Sequence, residues 1–343
     1  MSIMFEDMTK SHRFCVAPMM EWTDRHCRYF LRLFSEHTLL YTEMVSTGAL
    51  LHGDAKRFLR FDPAEQPVAL QLGGSDPAEL AACAQLGEQA GFAEINFNAG
   101  CPSDRVQRGK IGACLMAEPE LVADCLAAMK DAVSIPVTIK CRTGIDQLDS
   151  FEHLCRFVGT VADAGIRCFI IHARIAILAG LSPRENREIP PLQYDRVYAV
   201  KERFPDLEIV INGGIRSLPQ ARSMLEKVDG VMVGREAYQH PDMLANVDQV
   251  LFGSARPVIS QAQVLDAFIE YTRGELNRGT ALKHMTRHIH GLFQGQPGAR
   301  AFRRHLSEHA HKPGAGIEIL QQAGNFVRQA DCARTDQVQE LTC

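Results

Sequence analysis

Residues 208–235, EIVINGGIRSLPQARSMLEKVDGVMVGR, decide the fold because they contain one complete copy of its building unit. Glu208–Ile211 and Gly230–Val233 are short runs of apolar and β-branched residues, which favour strands. Pro219–Lys227 between them has the spacing of an amphipathic helix. A strand, a helix and a second strand in this order predict a βαβ unit with parallel strands.

The same alternation extends back to residue 14. The other strand patterns are Phe14–Pro18, Leu39–Met44, Val68–Leu72, Glu94–Asn98, Val137–Arg142 and Cys168–His172. The other helical patterns are Arg25–Phe34, Asp76–Ala90, Pro119–Ala132, Ser150–Ala164 and Leu192–Phe204, with no clear helix in the second connection. Eight strands favour a closed (β/α)8 barrel, the TIM barrel, over an open doubly wound sheet. The turn Ala17-Pro18-Met19-Met20 also lacks the glycines of an open dinucleotide-binding sheet.

The pattern changes after Phe252, and from Gln261 onward the periodicity is helical only. We therefore expect a catalytic barrel over residues 1–252 and an all-helical domain over residues 253–343. The helical part contains a basic stretch, Arg273–His305, in which Glu275 is the one acidic residue. Its basic residues are Arg273, Arg278, Lys283, Arg287, Arg300, Arg303 and Arg304. A local basic patch of this kind can bind a polyanion although the net charge of the chain is -4.

The composition is that of an ordinary globular protein, with 46% hydrophobic and 23% charged residues in 343. The most apolar segment, Cys168–Leu181, contains His172 and Arg174 and is too short to span a membrane. Residues 1–13 do not resemble a signal peptide. The 11 cysteines form no C-x-x-C pair, so we expect no metal site and a reducing, cytoplasmic setting.

The loops that follow the strands form the active face of such a barrel. Many polar or reactive residues fall there: Pro18, Met19, Met20, Gln71, Asn96, Asn98, Cys101, Lys140, Arg142, His172, Arg174, Asn212, Gly213, Gly214, Gly234 and Arg235. The cations among them predict an anionic ligand. The glycines after the last two strands match the common phosphate site of barrels, where bare backbone N–H groups approach the phosphate. Two tight turns are the alternative interpretation.

Cys101 and Lys140 are the candidates for chemistry. Gly100 and Pro102 place Cys101 in a turn, which favours a reactive thiol over the alternative of a buried structural cysteine. Lys140 ends a strand and suits either a Schiff-base lysine or a permanent cation beside a cofactor ring. The neighbouring Arg142 and His172 do not decide between these two roles.

Several motifs together identify a family. In order they are CVAPM (15–19), EINFNAGCPSDRVQRGKIGACLM (94–116), VTIKCRTGID (137–146), IIHAR (170–174), GLSPRENREIPPL (180–192), INGGI (211–215) and VMVGREAYQHP (231–241). They closely resemble the tRNA-dihydrouridine synthases, in particular the A subfamily, from about Arg13 through nearly the whole chain. The NAGCPSDRVQRGKIGACLM and GLSPRENREIPPL blocks are specific to that subfamily.

The resemblance implies an FMN-binding barrel joined to a helical tRNA-binding domain. Such enzymes reduce the C5–C6 bond of uridines with NADPH as the reductant, and the A subfamily acts on D-loop uridines 20 and 20a. A membrane or an obligate protein partner is not implied, and a monomer is expected. Cys101 would be the catalytic acid, because a thiol with an ordinary pKa of about 8.5 is mostly protonated at pH 7. It would deliver its proton to C5.

The resemblance also assigns binding roles by position. The residues implied for the flavin are Pro18, Met19 and Met20 along the ring, Gln71, Lys140 and His172 at the isoalloxazine edge, and Asn212, Gly213, Gly214, Gly234 and Arg235 at the phosphate. Those implied for tRNA are Asn98, Arg184, Arg187, Arg300 and Arg303. Ile175, Ile177 and Glu21 depart from residues frequent in the family, which concerns local RNA contacts rather than the flavin site.

Three other functions are compatible with parts of the pattern. A flavin barrel that reduces a free pyrimidine or an enone would share the FMN residues but would not need the basic helical part. A sugar-phosphate isomerase or aldolase would use Lys140 as a Schiff base without flavin. A non-catalytic RNA-binding protein would not need Cys101.

Overall fold

Parallel strands close into a barrel in the computed structural model, which describes residues 12–103 and 109–340. The strands are β1 (Phe14–Val16), β2 (Leu39–Tyr41), β3 (Val45–Ser46), β4 (Val68–Gly73), β5 (Glu94–Asn98), β6 (Val137–Arg142), β7 (Cys168–His172), β8 (Glu208–Asn212) and β9 (Gly230–Val233). Strand β1 pairs with both β2 and β9, and β2 also pairs with β4, so the sheet has no open edge there. The predicted eight-stranded barrel is confirmed.

The second strand pattern, Leu39–Met44, is longer than the strand that forms there, because β2 ends at Tyr41 and the short β3 begins only at Val45. Both segments pair with β4. Between them, the Thr42 hydroxyl accepts a hydrogen bond from the backbone N–H of Gln71 at 3.0 Å. A side chain therefore replaces a backbone carbonyl in the ladder, and the regular strand is interrupted at this point. The predicted continuous strand Leu39–Met44 was wrong in this detail.

Helices surround the barrel between the strands. They are α1 (Arg25–Arg32), α2 (Thr47–Leu51), α3 (Ala55–Leu59), α4 (Pro77–Ala90), α5 (Pro119–Ala132), α6 (Phe151–Asp163), α7 (Tyr194–Arg203), α8 (Leu218–Met224), α9 (Arg235–Gln239) and α10 (Val247–Phe252). Asp76 and Ser150 begin α4 and α6 because their side chains accept the N–H of Glu79 and His153. The second connection, where the sequence shows no clear helix, contains the two short helices α2 and α3.

Successive side chains of each strand point alternately to the helices and to the barrel interior, so the protein has an outer core and an inner core. In β5, Ile95 and Phe97 pack outward under the helices, whereas Glu94, Asn96 and Asn98 face the barrel interior. The apolar part of the interior comprises Cys15, Ala17, Leu39, Tyr41, Ala69, Cys168, Ile170, Val210 and Met232. The barrel is thus a packed core that carries a line of polar side chains along β5.

The C-terminal part is helical, as predicted. It consists of α11 (Gln261–Asn277), α12 (Lys283–Thr286), α13 (Ala299–His309) and α14 (Ile317–Glu340). Phe268 of α11 is fully buried and meets Phe30 of α1 edge-on, with ring centroids 5.3 Å apart. The helices of the described residues include none with the length and apolar character needed to cross a bilayer.

Two acidic residues attach the C-terminal helices to the start of α1. Glu275 accepts hydrogen bonds from Arg25 at 2.5 Å and from Thr280 at 2.9 Å. Burial alone would raise the pKa of Glu275, but the bonds from Arg25 and Thr280 lower it to about 2. Asp24 caps α1 and contacts Arg287 at 2.5 Å and the buried His288 at 2.9 Å. These contacts fix the helical part against the loop that follows β1.

Candidate active site

The predicted polar residues meet at the C-terminal ends of neighbouring strands. The register pairs Asn98 with Lys140, Arg142 with His172, and His172 with Asn212. Four strands, β5 to β8, therefore present these side chains side by side at the mouth of the barrel. The geometry fits the expectation that the loops after the strands form the active face.

Lys140 lies at the centre of this group. Its Nζ donates to Asn212 Oδ1 at 3.0 Å, and Asn212 Nδ2 donates in turn to the backbone carbonyl of Met232 at 2.7 Å. Burial, reinforced by the neighbouring charge of Arg142, lowers the pKa of Lys140 to about 8. The ammonium is consequently a cation at pH 7 without an ion-pair partner among the described residues, as expected for a group that awaits an anionic ligand.

His172 is a neutral imidazole in this setting. Burial and the charges of Arg142 and Lys140 hold the pKa of His172 well below its usual value. Its ring lies against Gly213, where an added Cβ would come within 2.9 Å of His172 Cδ2. Gly213 and Gly214 have φ angles of 118° and 67°, which side-chain-bearing residues rarely adopt. Gly213 therefore brings bare backbone close to the His172 ring, and Gly214 does the same beside Leu192 and Tyr194.

Arg142, which the sequence places among the strand-end cations without a role of its own, has a specific role in the structure. The buried guanidinium donates from Nε to the carbonyl of Gly100 at 2.8 Å and from Nη1 to the carbonyl of Ile175 at 2.8 Å. It also reaches the carbonyl of Asn186 at 3.2 Å. Arg142 thus ties the turn before Cys101 to the loop after β7. The available signal was its position two residues from Lys140, on the same face of β6.

Cys101 lies in a turn that is fixed at both ends and leaves its side chain half-buried. Asn98 Oδ1 accepts the backbone N–H of Gly100 at 3.1 Å and of Cys101 at 3.0 Å. The Cys101 carbonyl accepts the N–H of Ala113 at 2.9 Å. By contrast, the cysteines that are fully buried are Cys15, Cys27, Cys83, Cys125, Cys141 and Cys168. Cys101 therefore does not occupy a packed core position.

The loop after β1 contains Pro18, Met19 and Met20. The Met19 N–H donates to Thr23 Oγ1 at 2.9 Å, and the Met19 carbonyl accepts the N–H of Thr23 at 2.9 Å. Met20 is 57% exposed. At Gly234 an added Cβ would lie 3.8 Å from Met19 Sδ, so this loop and the end of β9 face each other. Gln71, by contrast, is buried inside the barrel.

Further cations surround the mouth. Arg235 Nη1 donates to Glu188 Oε1 at 2.7 Å, and Arg184 lies 3.6 Å from the other oxygen of Glu188. Arg187 is exposed. Arg174 donates from Nη1 to the carbonyl of Pro190, while its buried Nε has no partner among the described residues. Cationic groups outnumber acidic ones around this opening, which favours an anionic ligand.

Several basic side chains in the basic stretch of the C-terminal helices form ion pairs, which the sequence does not reveal. Arg273 pairs with Glu270, Arg278 with Glu275, and Arg287 with Asp24 of the barrel. The basic side chains of the stretch that have no ion pair with a described acidic group are Lys283, Arg300, Arg303 and Arg304. Arg300 and Arg303 lie on α13, and Arg300 is exposed. Ile175 and Ile177, the unusual residues after β7, lie in the loop that Arg142 and Asn186 hold.

A family model described as "Dihydrouridine synthase (Dus)" matches residues 15–328 of this chain. Three curated relatives bear the name tRNA-dihydrouridine(20/20a) synthase. The protein of Yersinia pestis is 60% identical over 91% of this chain and 90% of its own length. The protein of Vibrio cholerae serotype O1 is 59% identical over 92% of this chain and 97% of its own length. The protein of Escherichia coli K12 is 60% identical over 94% of this chain and 93% of its own length.

Among solved structures, the chain is similar to a complex of 2-naphthoyl-CoA reductase with 2-naphthoyl-CoA. The TM-score is 0.50 at 10% sequence identity, and the alignment covers 73% of this chain and 54% of that one. At this identity the likeness supports the fold alone. It agrees with the barrel found here.

Lys140 provides a test of the site's electrostatics. We expect Lys140→Met to raise the free energy of unfolding of the ligand-free protein at pH 7, because it removes a buried charge. The difference should shrink as the pH rises from about 8 towards 10.5. In that range the folded wild type has lost the proton that the unfolded chain still holds, so wild-type stability increases.

The measurement is urea unfolding of both ligand-free proteins at a series of pH values. Lys130→Met, which replaces an exposed lysine on α5, serves as the control and should show no such trend. A constant difference between Lys140→Met and wild type across this range would contradict the lowered pKa.

Proposed function

Because this chain belongs to the dihydrouridine synthase family, we propose that it reduces the C5–C6 bond of uridines 20 and 20a in the D-loop of tRNA. The observation that carries the proposal is the Cys101 turn, which presents a half-buried thiol at the cation-lined mouth of the barrel. The names of relatives at about 60% identity over more than nine-tenths of the chain support the choice of uridines.

FMN is the cofactor that the site fits best. Lys140, Arg174 and Arg235 supply positive charge, and the glycines at 213, 214 and 234 carry no side chain that would keep a phosphate away from their backbone N–H groups. When bound, FMN supplies the hydride that C6 of the uracil receives, and NADPH restores it. In this proposal Pro18, Met19 and Met20 line the ring, Gln71, Lys140 and His172 hold its edge, and Asn212, Gly213, Gly214, Gly234 and Arg235 bind the phosphate.

Lys140 and His172 have different roles at the ring edge: Lys140 provides a positive charge, and His172 provides a neutral hydrogen-bonding group. The Lys140 ammonium stabilises negative charge there, and its hydrogen bond to Asn212 fixes the direction in which it points. His172 adds no second charge, because the low pKa keeps its imidazole neutral at pH 7. A neutral ring can donate or accept a hydrogen bond beside Lys140 without adding repulsion to the group of cations.

Cys101 is the proton donor in the reaction we propose. Hydride arrival at C6 leaves negative charge on C5 and on the C4 carbonyl, so a positioned acid must protonate C5. The Cys101 thiol transfers its proton to C5 and becomes a thiolate. The positive charge of Arg142, which bonds the carbonyl of Gly100, lies beside the Cys101 turn. The same charge stabilises the thiolate until water, which reaches the half-buried thiol, returns the proton.

tRNA binding is assigned to two groups of residues. Asn98, Arg184 and Arg187 belong to the barrel mouth, and Arg300 and Arg303 belong to α13. The target base must leave the tRNA stack to reach the barrel, because RNA is recognised through its shape and splayed bases. We propose the catalytic unit over residues 1–252 and the tRNA-binding unit over residues 253–343, held together by the contacts of Glu275 and Asp24 with their partners.

Cys101→Ala should slow the reduction of uridine without slowing the reduction of FMN by NADPH. We expect the rate of uridine reduction to fall by about 10²–10⁴-fold, the usual contribution of a positioned acid. The reduction of bound FMN by NADPH should proceed at the wild-type rate. Cys114→Ala, which removes the other half-buried thiol near this loop, serves as the matched control. Wild-type dihydrouridine yields from the Cys101→Ala protein would rule out the acid role.

Arg300→Ala/Arg303→Ala should weaken tRNA binding without loss of the flavin. Each phosphate contact that is removed should lower the slope of log affinity against log salt by about 1. The control is Arg273→Ala, whose charge is already paired with Glu270. Affinity measured over a salt series, with flavin absorbance recorded on the same samples, decides the outcome. Loss of FMN from the double variant would contradict the proposed division of the chain.

A further inference from the structure

Buried polar side chains form a continuous line of hydrogen bonds below Cys101. Asn98 Oδ1 accepts the Cys101 N–H at 3.0 Å, and Asn98 Nδ2 donates to Gln71 Oε1 at 2.8 Å. Gln71 Nε2 then donates to Asn96 Oδ1, also at 2.8 Å. Each of these three side chains is at most 7% exposed. The line therefore leaves the catalytic turn and enters the barrel interior without meeting water.

The line continues to the opposite end of the barrel. Asn96 Nδ2 donates to Thr138 Oγ1 at 2.8 Å, and the Thr138 hydroxyl donates to Glu94 Oε1 at 2.5 Å. Glu94 Oε1 also accepts the Tyr41 hydroxyl at 2.9 Å, and Glu94 Oε2 lies 2.6 Å from His12 Nε2. Glu94 and Thr138 are both buried. A carboxylate is thus the last acceptor of the line.

Only one direction of donation satisfies every member. The backbone N–H groups of Gly100 and Cys101 can only donate, so Asn98 must present its oxygen to the turn and its nitrogen to Gln71. The same logic fixes Gln71 and Asn96 in turn. Thr138 accepts from Asn96, and its own proton must go to Glu94. Reversal of any one amide would set two donors or two acceptors face to face inside the barrel, where water cannot replace the lost bond.

The charge at the end of the line is balanced locally. Glu94 Oε1 accepts hydrogen bonds from both the Tyr41 and the Thr138 hydroxyl. Burial opposes the charged form of His12, yet Cys168, Glu94 and Glu208, which face its ring, hold the pKa of His12 well above its usual value. The His12 ring lies between these two carboxylates. The acceptor at the end of the line is therefore a stable feature of the folded chain.

We propose that Glu94 and Thr138 are positioning residues for Cys101, and that they act through the fixed amides of Asn96, Gln71 and Asn98. The inference rests on the proposed function, since it takes Cys101 as the proton donor. Neither Glu94 nor Thr138 reaches the barrel mouth. Their effect is to hold the Asn98 carbonyl oxygen under the turn, so that the Cys101 thiol keeps one position relative to the base.

Thr138→Val tests this proposal with the smallest change of shape. Valine fills the same space but can neither accept from Asn96 nor donate to Glu94. We expect kcat for uridine reduction to fall by about tenfold to a hundredfold, as for a misplaced catalytic group. KM for tRNA should change less than kcat, because the arginines assigned to the phosphates lie outside the line. Iodoacetamide should alkylate Cys101 several-fold faster in the ligand-free variant, since its turn is no longer held.

Three controls separate positioning from general damage. Thr138→Ser keeps the hydroxyl and should restore both kcat and the slow alkylation of Cys101. Thr272→Val removes a buried hydroxyl of α11 that has no partner among the described residues, and it should behave as wild type. Cys141, buried on β6 close to Thr138, should stay unmodified in every variant when peptides are analysed by mass spectrometry.

Each outcome bears on the proposal. Wild-type kcat and wild-type Cys101 alkylation in Thr138→Val would overturn it, and so would equal modification of Cys101 and Cys141, which would mean a loosened barrel. If Thr138→Val does not fold, Asn96→Leu applies the same tests and must give the same selective change, because leucine can neither accept from Gln71 nor donate to Thr138. If the wild-type protein forms no dihydrouridine, the proposed function is refuted. The alkylation rate of Cys101 would still show whether Thr138 holds the Cys101 turn.

Discussion

The site depends on the hydrogen bonds that the side-chain amide of Asn98 makes. Its oxygen holds two backbone N–H groups of the Cys101 turn, and its nitrogen is committed to Gln71. From the other side, Arg142 holds the carbonyl of Gly100. The turn is therefore fixed from the barrel interior and from the rim at once. A thiol on such a turn keeps a defined position while its side chain remains half-buried, which is the combination that proton transfer to a bound base requires.

The electrostatic design of the mouth follows from the same packing. Arg142 and His172 are buried and Lys140 is half-buried beside them, so the chain holds the charges of Lys140 and Arg142 next to a neutral imidazole where water is scarce. The cost is visible in the lowered pKa values of Lys140 and His172. The buried cationic groups lower the free energy of unfolding of the ligand-free protein, but they give the site a positive charge that favours anion binding. Perturbed pKa values of this kind are common at functional sites. Acidic groups that neutralise charge are used instead where the C-terminal helices meet the barrel, at Glu275 and Asp24.

Much of the fold could be predicted because its strands are short apolar runs at regular spacing, and all eight predicted strand positions exist in the barrel. The break after Tyr41 could not, because it depends on a hydroxyl of Thr42 that bonds across to β4. The strand-end residues were found by their position and by the motifs. Thr138 and Glu94 were missed as parts of the site, and Arg142 was given no role of its own, because these roles arise from hydrogen bonds between segments that are distant in sequence. Likewise, the basic stretch on the C-terminal helices could not reveal that Arg287 is paired with Asp24, 263 positions away.

The central claim is that this chain makes dihydrouridine at two adjacent D-loop positions of tRNA. The most direct measurement maps dihydrouridine across a tRNA pool that lacks the modification, before and after incubation with the purified protein, FMN and NADPH. Dihydrouridine should appear at positions 20 and 20a. Reduction at other positions only, or reduction of free uracil with tRNA left unchanged, would contradict it.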